Sequence, residues 1–440
     1  MKSLKRAITR SFSCLRRKPL PIPPTNPLLA ANELVDEEIC PGYNPNKFYP
    51  ARPGDVLDNR YQILVKVGWG VSSTVWFARD MRGYQYEPEG VVALKITNAN
   101  QPIDDECGIE NHIFRANPSH RGRALFRTSS ECFEITSSAG KHMCLAYEPM
   151  REPLWLFKRR FKDEAIPLPL VKTYVRLLLV GLDYLHTECK VVHTDLKLEN
   201  IMVSFEDPAV LGDFMGSLYD TPMQYKIDST GRPVYRCHND FGPLRKLRNI
   251  PKIVDFGHSV KFDSEDDLMI QPIQPDHYRA PEVILGCGWG MSTDIWNLGV
   301  LLWDIFENKE LFRLVYDANG QYNAKGHLAE MIALLGPPPP DLVARSRSTS
   351  EYQWPEPIVR EDGQLCGNSR EYFGGPFFDD NGNFLHEDLI PDRRFDDTAP
   401  SLDSEQREKF LSFVKRMVTW LPEERATARE LAEHPFLQLK

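Results

Sequence analysis

The sequence predicts an α+β chain in two lobes: a small β-rich lobe over about residues 55–150, then a larger, mainly helical lobe over about residues 151–440. Three observations carry this prediction. β-Branched and aromatic runs crowd between Tyr61 and Ile96. Beyond residue 165, apolar residues recur at helical spacing. The 440 residues are 42% hydrophobic and 26% charged, which is enough apolar content for sizeable cores.

Taken in order, residues 1–50 read as a basic, Pro-rich tail without fixed structure. Lys2 to Lys18 is basic, and Pro19-Leu20-Pro21-Ile22-Pro23-Pro24 cannot continue a helix. An acid-free Arg/Ser start is also the pattern of a mitochondrial transit peptide; a disordered basic arm is the preferred alternative. Tyr61 to Val67, Ser73 to Ala78 and Val91 to Ile96 then read as strands of a small antiparallel sheet, with a Gly- and Pro-rich turn at 82–90. Val171, Val175, Leu178, Leu182 and Leu185 mark one face of a helix, and Thr293 to Glu307 reads as a second, strongly apolar one. Thr427-Ala428-Arg429-Glu430 is a capping box opening the last helix. Two segments, about 203–250 and about 337–400, read as loop-rich insertions in the helical lobe.

Composition excludes some classes. No apolar run approaches the roughly 18–20 residues that cross a bilayer, and Leu298 to Phe306 contains Asp304. The cysteine count of nine is odd and no pair forms CxxC, so neither a disulfide framework nor a zinc site is expected and a reducing compartment is. Residues 1–32 hold seven Lys or Arg and no acid; subtracting those seven charges from the net −9 leaves −16 on residues 33–440. An acidic body favours basic partners through its long-range field, or serves solubility alone.

The chemistry-bearing residues come in chain order. Gly68-Trp69-Gly70-Val71-Ser72-Ser73-Thr74-Val75 lies between two strand patterns, where glycines let a hairpin sit closely over a triphosphate. Ser73 stands where a third glycine is usual. Lys95, ending Val92-Ala93-Leu94-Lys95, can reach the α- and β-phosphates if a carboxylate holds it. Glu110 is the candidate holder, with Glu106 the runner-up on the same helix. Val192-His193-Thr194-Asp195-Leu196-Lys197-Leu198-Glu199-Asn200 is the decisive stretch. It matches the phosphoryl-transfer pattern H-R-D-L-x-x-x-N, with Thr194 in place of Arg. Asp195 is placed to take a hydroxyl proton, Lys197 to neutralise the moving phosphoryl group, and Asn200 to bind magnesium. Asp213, Asp240 and Asp255 each begin something like Asp-Phe-Gly. Only Asp255 follows a strand-like run, Ile253-Val254, and lies 27 residues before Glu282, so it is taken as the second metal ligand. Glu282 of Ala280-Pro281-Glu282 can pair, buried, with Arg425, and Asp294 can receive amides of the catalytic loop.

With these residues in place the chain resembles the eukaryotic protein kinase superfamily across residues 61–437. Tyr278-Arg279-Ala280-Pro281-Glu282 looks like the group of cyclin-dependent, MAP and SR-protein kinases. Gly68-Trp69-Gly70 with Ser73-Thr74-Val75-Trp76, His193-Thr194-Asp195 and the long insertion before the metal-binding Asp resemble the SR-protein kinases, particularly fungal-type members. The resemblance implies a bilobal protein kinase fold with ATP in the cleft between lobes, ATP and Mg2+ as cofactors, and transfer to Ser/Thr of protein substrates. Arg-Ser-rich splicing factors are the implied candidate substrates. It implies nucleotide contacts at Val67, Gly68, Trp69, Gly70, Ser73, Val75, Ala93, Lys95 and Glu110. Tyr147 would be the gatekeeper, with Glu148 to Met150 contacting adenine through backbone groups. Two departures matter: Leu198 stands where Pro is usual, and Ala280-Pro281 replaces Ser-Leu. Acidic Asp263, Glu265, Asp266 and Asp267 form either a basic-peptide site or a solvated loop. Without the usual Arg at 194, activity is expected without activation-loop phosphorylation. A monomer in cytoplasm and/or nucleus, with no direct nucleic-acid contact, is expected. A pseudokinase scaffold would predict losses at Lys95, Asp195, Asn200 or Asp255, and all four are present. A small-molecule phosphotransferase would not need Tyr278 to Glu282 or Asp294 to Gly299.

Overall fold

The computed structural model describes residues 17–21, 28–83, 90–101, 104–218, 220–264, 269–360 and 362–439. The chain divides into two compact units. One comprises Met1–Asn111, Arg127–Glu152 and Val203–Ile250; the other comprises His112–Phe126, Pro153–Met202 and Pro251–Lys440.

The first unit is built on an antiparallel sheet of six strands: β1 (Val56–Leu57), β2 (Tyr61–Trp69), β3 (Ser73–Asp80), β4 (Gly90–Thr97), β5 (Glu131–Ser137) and β6 (Gly140–Tyr147). Their order is β1-β2-β3-β4-β6-β5. Alternation on β2 sends Tyr61, Ile63 and Val65 into the core, each at most 1% exposed. The 82–90 turn lies mostly outside the described residues.

The segment 203–250 belongs to this unit, which corrects its expected place in the helical lobe. Asp207 caps the helix Pro208–Ser217. Val210 and Phe214, four apart, give that helix an apolar face that has to be buried. Phe214 and Phe241 pack on Phe77 of β3, and Tyr235 packs edge-on against Trp76. The segment also covers an open edge. β2 pairs with β1 only at Tyr61 and Gln62. Beyond them, His238 N donates to Lys66 O at 2.8 Å and Asn239 Nδ2 to Val67 O at 3.3 Å.

Residues 28–50 are likewise an ordered part of this unit, where a structureless tail was expected. Glu37 is fully buried between Lys66 of β2 and Arg232 of the insertion, with Arg232 at 2.7 Å. Burial alone would raise the Glu37 carboxyl, but the two cations more than offset it and hold it below the usual range. Lys226 pairs with Glu38 at 2.9 Å beside it. A buried carboxylate needs such partners, so residues 28–50 and the insertion hold each other on the sheet. Residues 1–16 and 22–27 of the expected tail lie outside the described residues. Cys107, on the helix Asp104–Arg115, is disulfide-bonded to Cys132 of β5, a single bridge where the cysteine pattern predicts no disulfide framework.

The second unit is mainly helical. In Leu168–Thr187 the five residues of the predicted apolar face are all buried. Ser292–Phe306 is buried almost throughout, with Trp296 and Trp303 at its centre. Thr427 and Glu430 form the capping box of Ala428–Ala432. The segment 337–400 is loop-rich but not loose: it carries the helices Pro340–Thr349 and Ser369–Phe373 and buries Trp354, Cys366 and Phe373. Among the described residues no helix is long and apolar enough to cross a membrane.

Candidate active site

The phosphate-loop candidates sit on one hairpin. β2 and β3 pair Gly68 with Val75 and Trp69 with Thr74, after a register shift between Lys66 and Gly68. Gly70 N donates to Ser73 O at 2.9 Å and closes the turn. Asn98, just past β4, fixes the tip by donating from Nδ2 to Val71 O at 3.2 Å and from its backbone N to Ser72 O at 2.8 Å. Ala93 and Lys95 lie on β4, opposite Phe77 and Val75 of β3. Met150 is buried and Glu148 exposed, just after β6; the Glu148 carbonyl accepts from Arg127 Nε at 2.9 Å.

Lys95 is held by Glu106, not by Glu110. Lys95 Nζ lies 2.7 Å from Glu106 Oε1. Glu110 is 1% exposed and turned elsewhere. Its Oε2 accepts from Ser129 N and its Oε1 from the Tyr147 hydroxyl, both at 2.9 Å. Burial, reinforced by the neighbouring Glu106 carboxylate, pushes the Glu110 carboxyl up to about 6 despite these hydrogen bonds. The two glutamates are four apart, so both face the same way from the helix. The spacing could name both; the donors at Ser129 and Tyr147 that claim Glu110 come from residues distant in sequence.

In the second unit the catalytic-loop candidates converge. Lys197 Nζ contacts Asp195 Oδ2 at 2.9 Å. Asn200 Nδ2 donates to Asp195 O at 2.9 Å and to Asp195 Oδ2 at 2.7 Å. With its amide nitrogen so used, the Asn200 side-chain oxygen is the atom left to face a cation. Asp255 follows the strand Pro251–Ile253 and sits at φ 68°. Val254 N donates to Asn200 O at 3.0 Å, which sets the two expected metal ligands on adjoining backbone. Phe256 is fully buried against His193. Asp213 lies on the helix Pro208–Ser217, paired with Arg245, and Asp240 turns back on Gly242 N; both belong to the first unit.

Buried carboxylates brace this loop. Asp294 accepts from His193 N at 2.8 Å and Thr194 N at 3.1 Å. Glu282 and Arg425 meet in two parallel contacts of 2.6 Å with both side chains fully buried. Thr194, at φ 67°, donates from Oγ1 to His258 O at 2.8 Å.

An Asn oxygen and a carboxylate are hard donors of the kind Mg2+ takes alongside substrate phosphates, so these residues fit that ion. Among the described residues, no cluster of three or more His, Cys, Asp or Glu forms a separate metal cage.

Comparisons with known proteins show the family and the fold. The protein kinase domain family matches residues 61–437. A serine/threonine protein kinase of Aspergillus fumigatus is 34% identical over 424 residues, 95% of this chain and 94% of that protein. The serine/threonine-protein kinase SRPK of Physarum polycephalum is 29% identical, covering 91% of each. The crystal structure of the PF14_0431 kinase domain superposes with a TM-score of 0.60 at 20% identity, over 90% of this chain and all of that one, and shows the same bilobal α+β fold. The chain belongs to the protein kinase family, as an ATP-dependent serine/threonine protein kinase of the eukaryotic superfamily.

Proposed function

We propose that this kinase acts as an SR-protein kinase does, phosphorylating serines in basic, Arg-Ser-rich proteins, and that it does so without phosphorylation of its activation segment. The observation that carries the second half is the Thr194 hydroxyl bonded to His258 O. A neutral hydrogen bond stands where a phosphate-binding arginine is usual, so ordering the start of the segment needs no added charge. The substrate class rests on the acidic body of the chain and on its likeness to the Physarum kinase named SRPK.

In this reading Asp195 accepts the proton of the substrate hydroxyl as the new O–P bond forms and the bond from Pγ to the β-phosphate oxygen breaks, releasing ADP. Lys197 balances charge on the moving phosphoryl group. Asn200 and Asp255 would hold Mg2+, which supplies charge neutralisation to the phosphates. Lys95, aimed by Glu106, holds the α- and β-phosphates. The hairpin of Val67, Gly68, Trp69, Gly70, Ser73 and Val75 covers them. A Cβ at Gly70 would meet nothing within 4 Å, so packing does not ask for glycine there, and room for a phosphate supports the reading. Ala93, Glu148 and Met150 are assigned to the adenine.

The test uses bacterially made, phosphatase-treated protein with Mg-ATP and three substrates: an Arg-Ser repeat peptide, a Ser-Pro peptide and a generic basic protein. Transfer to the Arg-Ser peptide is expected without any upstream kinase. Transfer only to Ser-Pro rejects the substrate class, and a requirement for an upstream kinase rejects the regulation. The same assay separates the two glutamates. Glu106→Gln is expected to lower kcat/KM for ATP by about a hundredfold through misplacement of Lys95, and Glu110→Gln by about threefold or less.

A further inference from the structure

The activation segment runs from Asp255 to Glu282, and its second half lies on a row of neutral donors. Three successive carbonyls are occupied. Met269 O accepts from Trp289 N at 2.9 Å, and Gln271 O from Trp289 Nε1 at 2.8 Å. Between them, Ile270 O accepts from Trp354 Nε1 at 3.1 Å and from Ser369 Oγ at 3.2 Å. Trp289 follows the segment closely in sequence, but Trp354 and Ser369 come from the 337–400 insertion, 84 and 99 residues away. Both are buried, at 4% and 2% exposure. Their seat is tight: a Cβ at Gly286, just beyond Glu282, would come within 2.7 Å of the Ser369 Cβ. Downstream, Arg279 donates to Ile273 O and Gln274 O, and the Gln274 side chain accepts from Ala280 N. The donors on Ile270 therefore anchor the stretch that leads straight into Gln274 to Ala280.

We infer that the 337–400 insertion is a built-in holder of the activation segment, with Trp354 and Ser369 as positioning residues that fix the peptide-binding stretch through the Ile270 carbonyl. This deepens the reading of a phosphorylation-independent protein kinase and rests on it for its effect on substrate. Two uncharged donors on one half-buried carbonyl do the ordering that a phosphate with an arginine does elsewhere, and they are always present. Thr194 secures the start of the segment and the insertion secures its second half.

The experiment uses the full chain carrying Trp354→Phe, Ser369→Ala or both, and reads two things. Hydrogen exchange of amides in residues 269–274 is expected to quicken about tenfold in the double variant, because the Ile270 carbonyl loses both side-chain donors. With an Arg-Ser repeat peptide the peptide KM is expected to rise about tenfold, while the KM for ATP moves by about twofold or less. A folded double variant whose 269–274 exchange is unchanged overturns the inference, whatever its activity. Equal rises in both KM values also overturn it, since that marks general loosening. If wild-type protein transfers nothing to the peptide, the functional reading fails, and the exchange measurement still decides whether the insertion holds the segment. Ser369→Ala is conservative in volume, so it alone gives the exchange result should the double variant not fold.

Discussion

Asp195→Asn is expected to cut phosphoryl transfer by about a thousandfold while leaving the KM for ATP within about threefold. The substitution keeps the shape of the side chain and one oxygen able to accept from Asn200 or Lys197. It removes the negative charge, and with it the group that takes the hydroxyl proton. Lys197 then loses its counter-charge at 2.9 Å as well. Steady-state transfer from labelled ATP to the best substrate checks this, with thermal melting to confirm the fold. A variant keeping more than about a tenth of wild-type activity would remove Asp195 from the reaction and reopen the scaffold reading.

Arg425→Leu is expected to cost about 3–5 kcal/mol of stability in the second unit. Both members of the Glu282–Arg425 pair are fully buried, and the arginine satisfies both glutamate oxygens. Removing it leaves a buried carboxylate that accepts from the Thr293 hydroxyl at 3.3 Å. The double variant Glu282→Leu with Arg425→Leu is expected to recover most of the loss, because no unpaired charge remains. Urea unfolding followed by tryptophan fluorescence suits the measurement, since the Arg425 guanidinium lies 5.1 Å from the Trp296 ring centroid. A single variant as stable as wild type would show that water reaches Glu282 in the folded state. The pair also seats the loop after the activation segment, so lost stability and lost peptide affinity should travel together.

These expectations draw on residues of very different visibility in the sequence. Asp195, Lys197 and Asn200 lie within six positions, and their contacts are made among themselves, so a linear motif was enough to bring them together. Asp255 was separable from Asp213 and Asp240 because only it follows a strand, and the structure places a strand at Pro251–Ile253. The Glu282–Arg425 pair and the amides on Asp294 were also anticipated. The holder of Lys95 was not resolved correctly. Glu106 and Glu110 share a helix face, and the choice between them depends on Ser129 and Tyr147, which arrive from after the helix. The disulfide between Cys107 and Cys132 escaped for the same reason: it spans 25 residues and two elements.

The sequence by itself determined the chemistry of this kinase and the two-lobed order of strands and helices. Both are written in short-range patterns: alternation, helical spacing, and a motif whose members touch one another. Only the tertiary structure decided what the long insertions do. Residues 203–250 and 28–50 look like loops and tail because their partners lie far along the chain, on β2 and β3. Burial of Phe214 on Phe77 and of Glu37 between Lys66 and Arg232 makes them part of the first unit. Residues 337–400 look like a bare loop for the same reason. Trp354 and Ser369 acquire a role only where folding sets two donors on the carbonyl of Ile270.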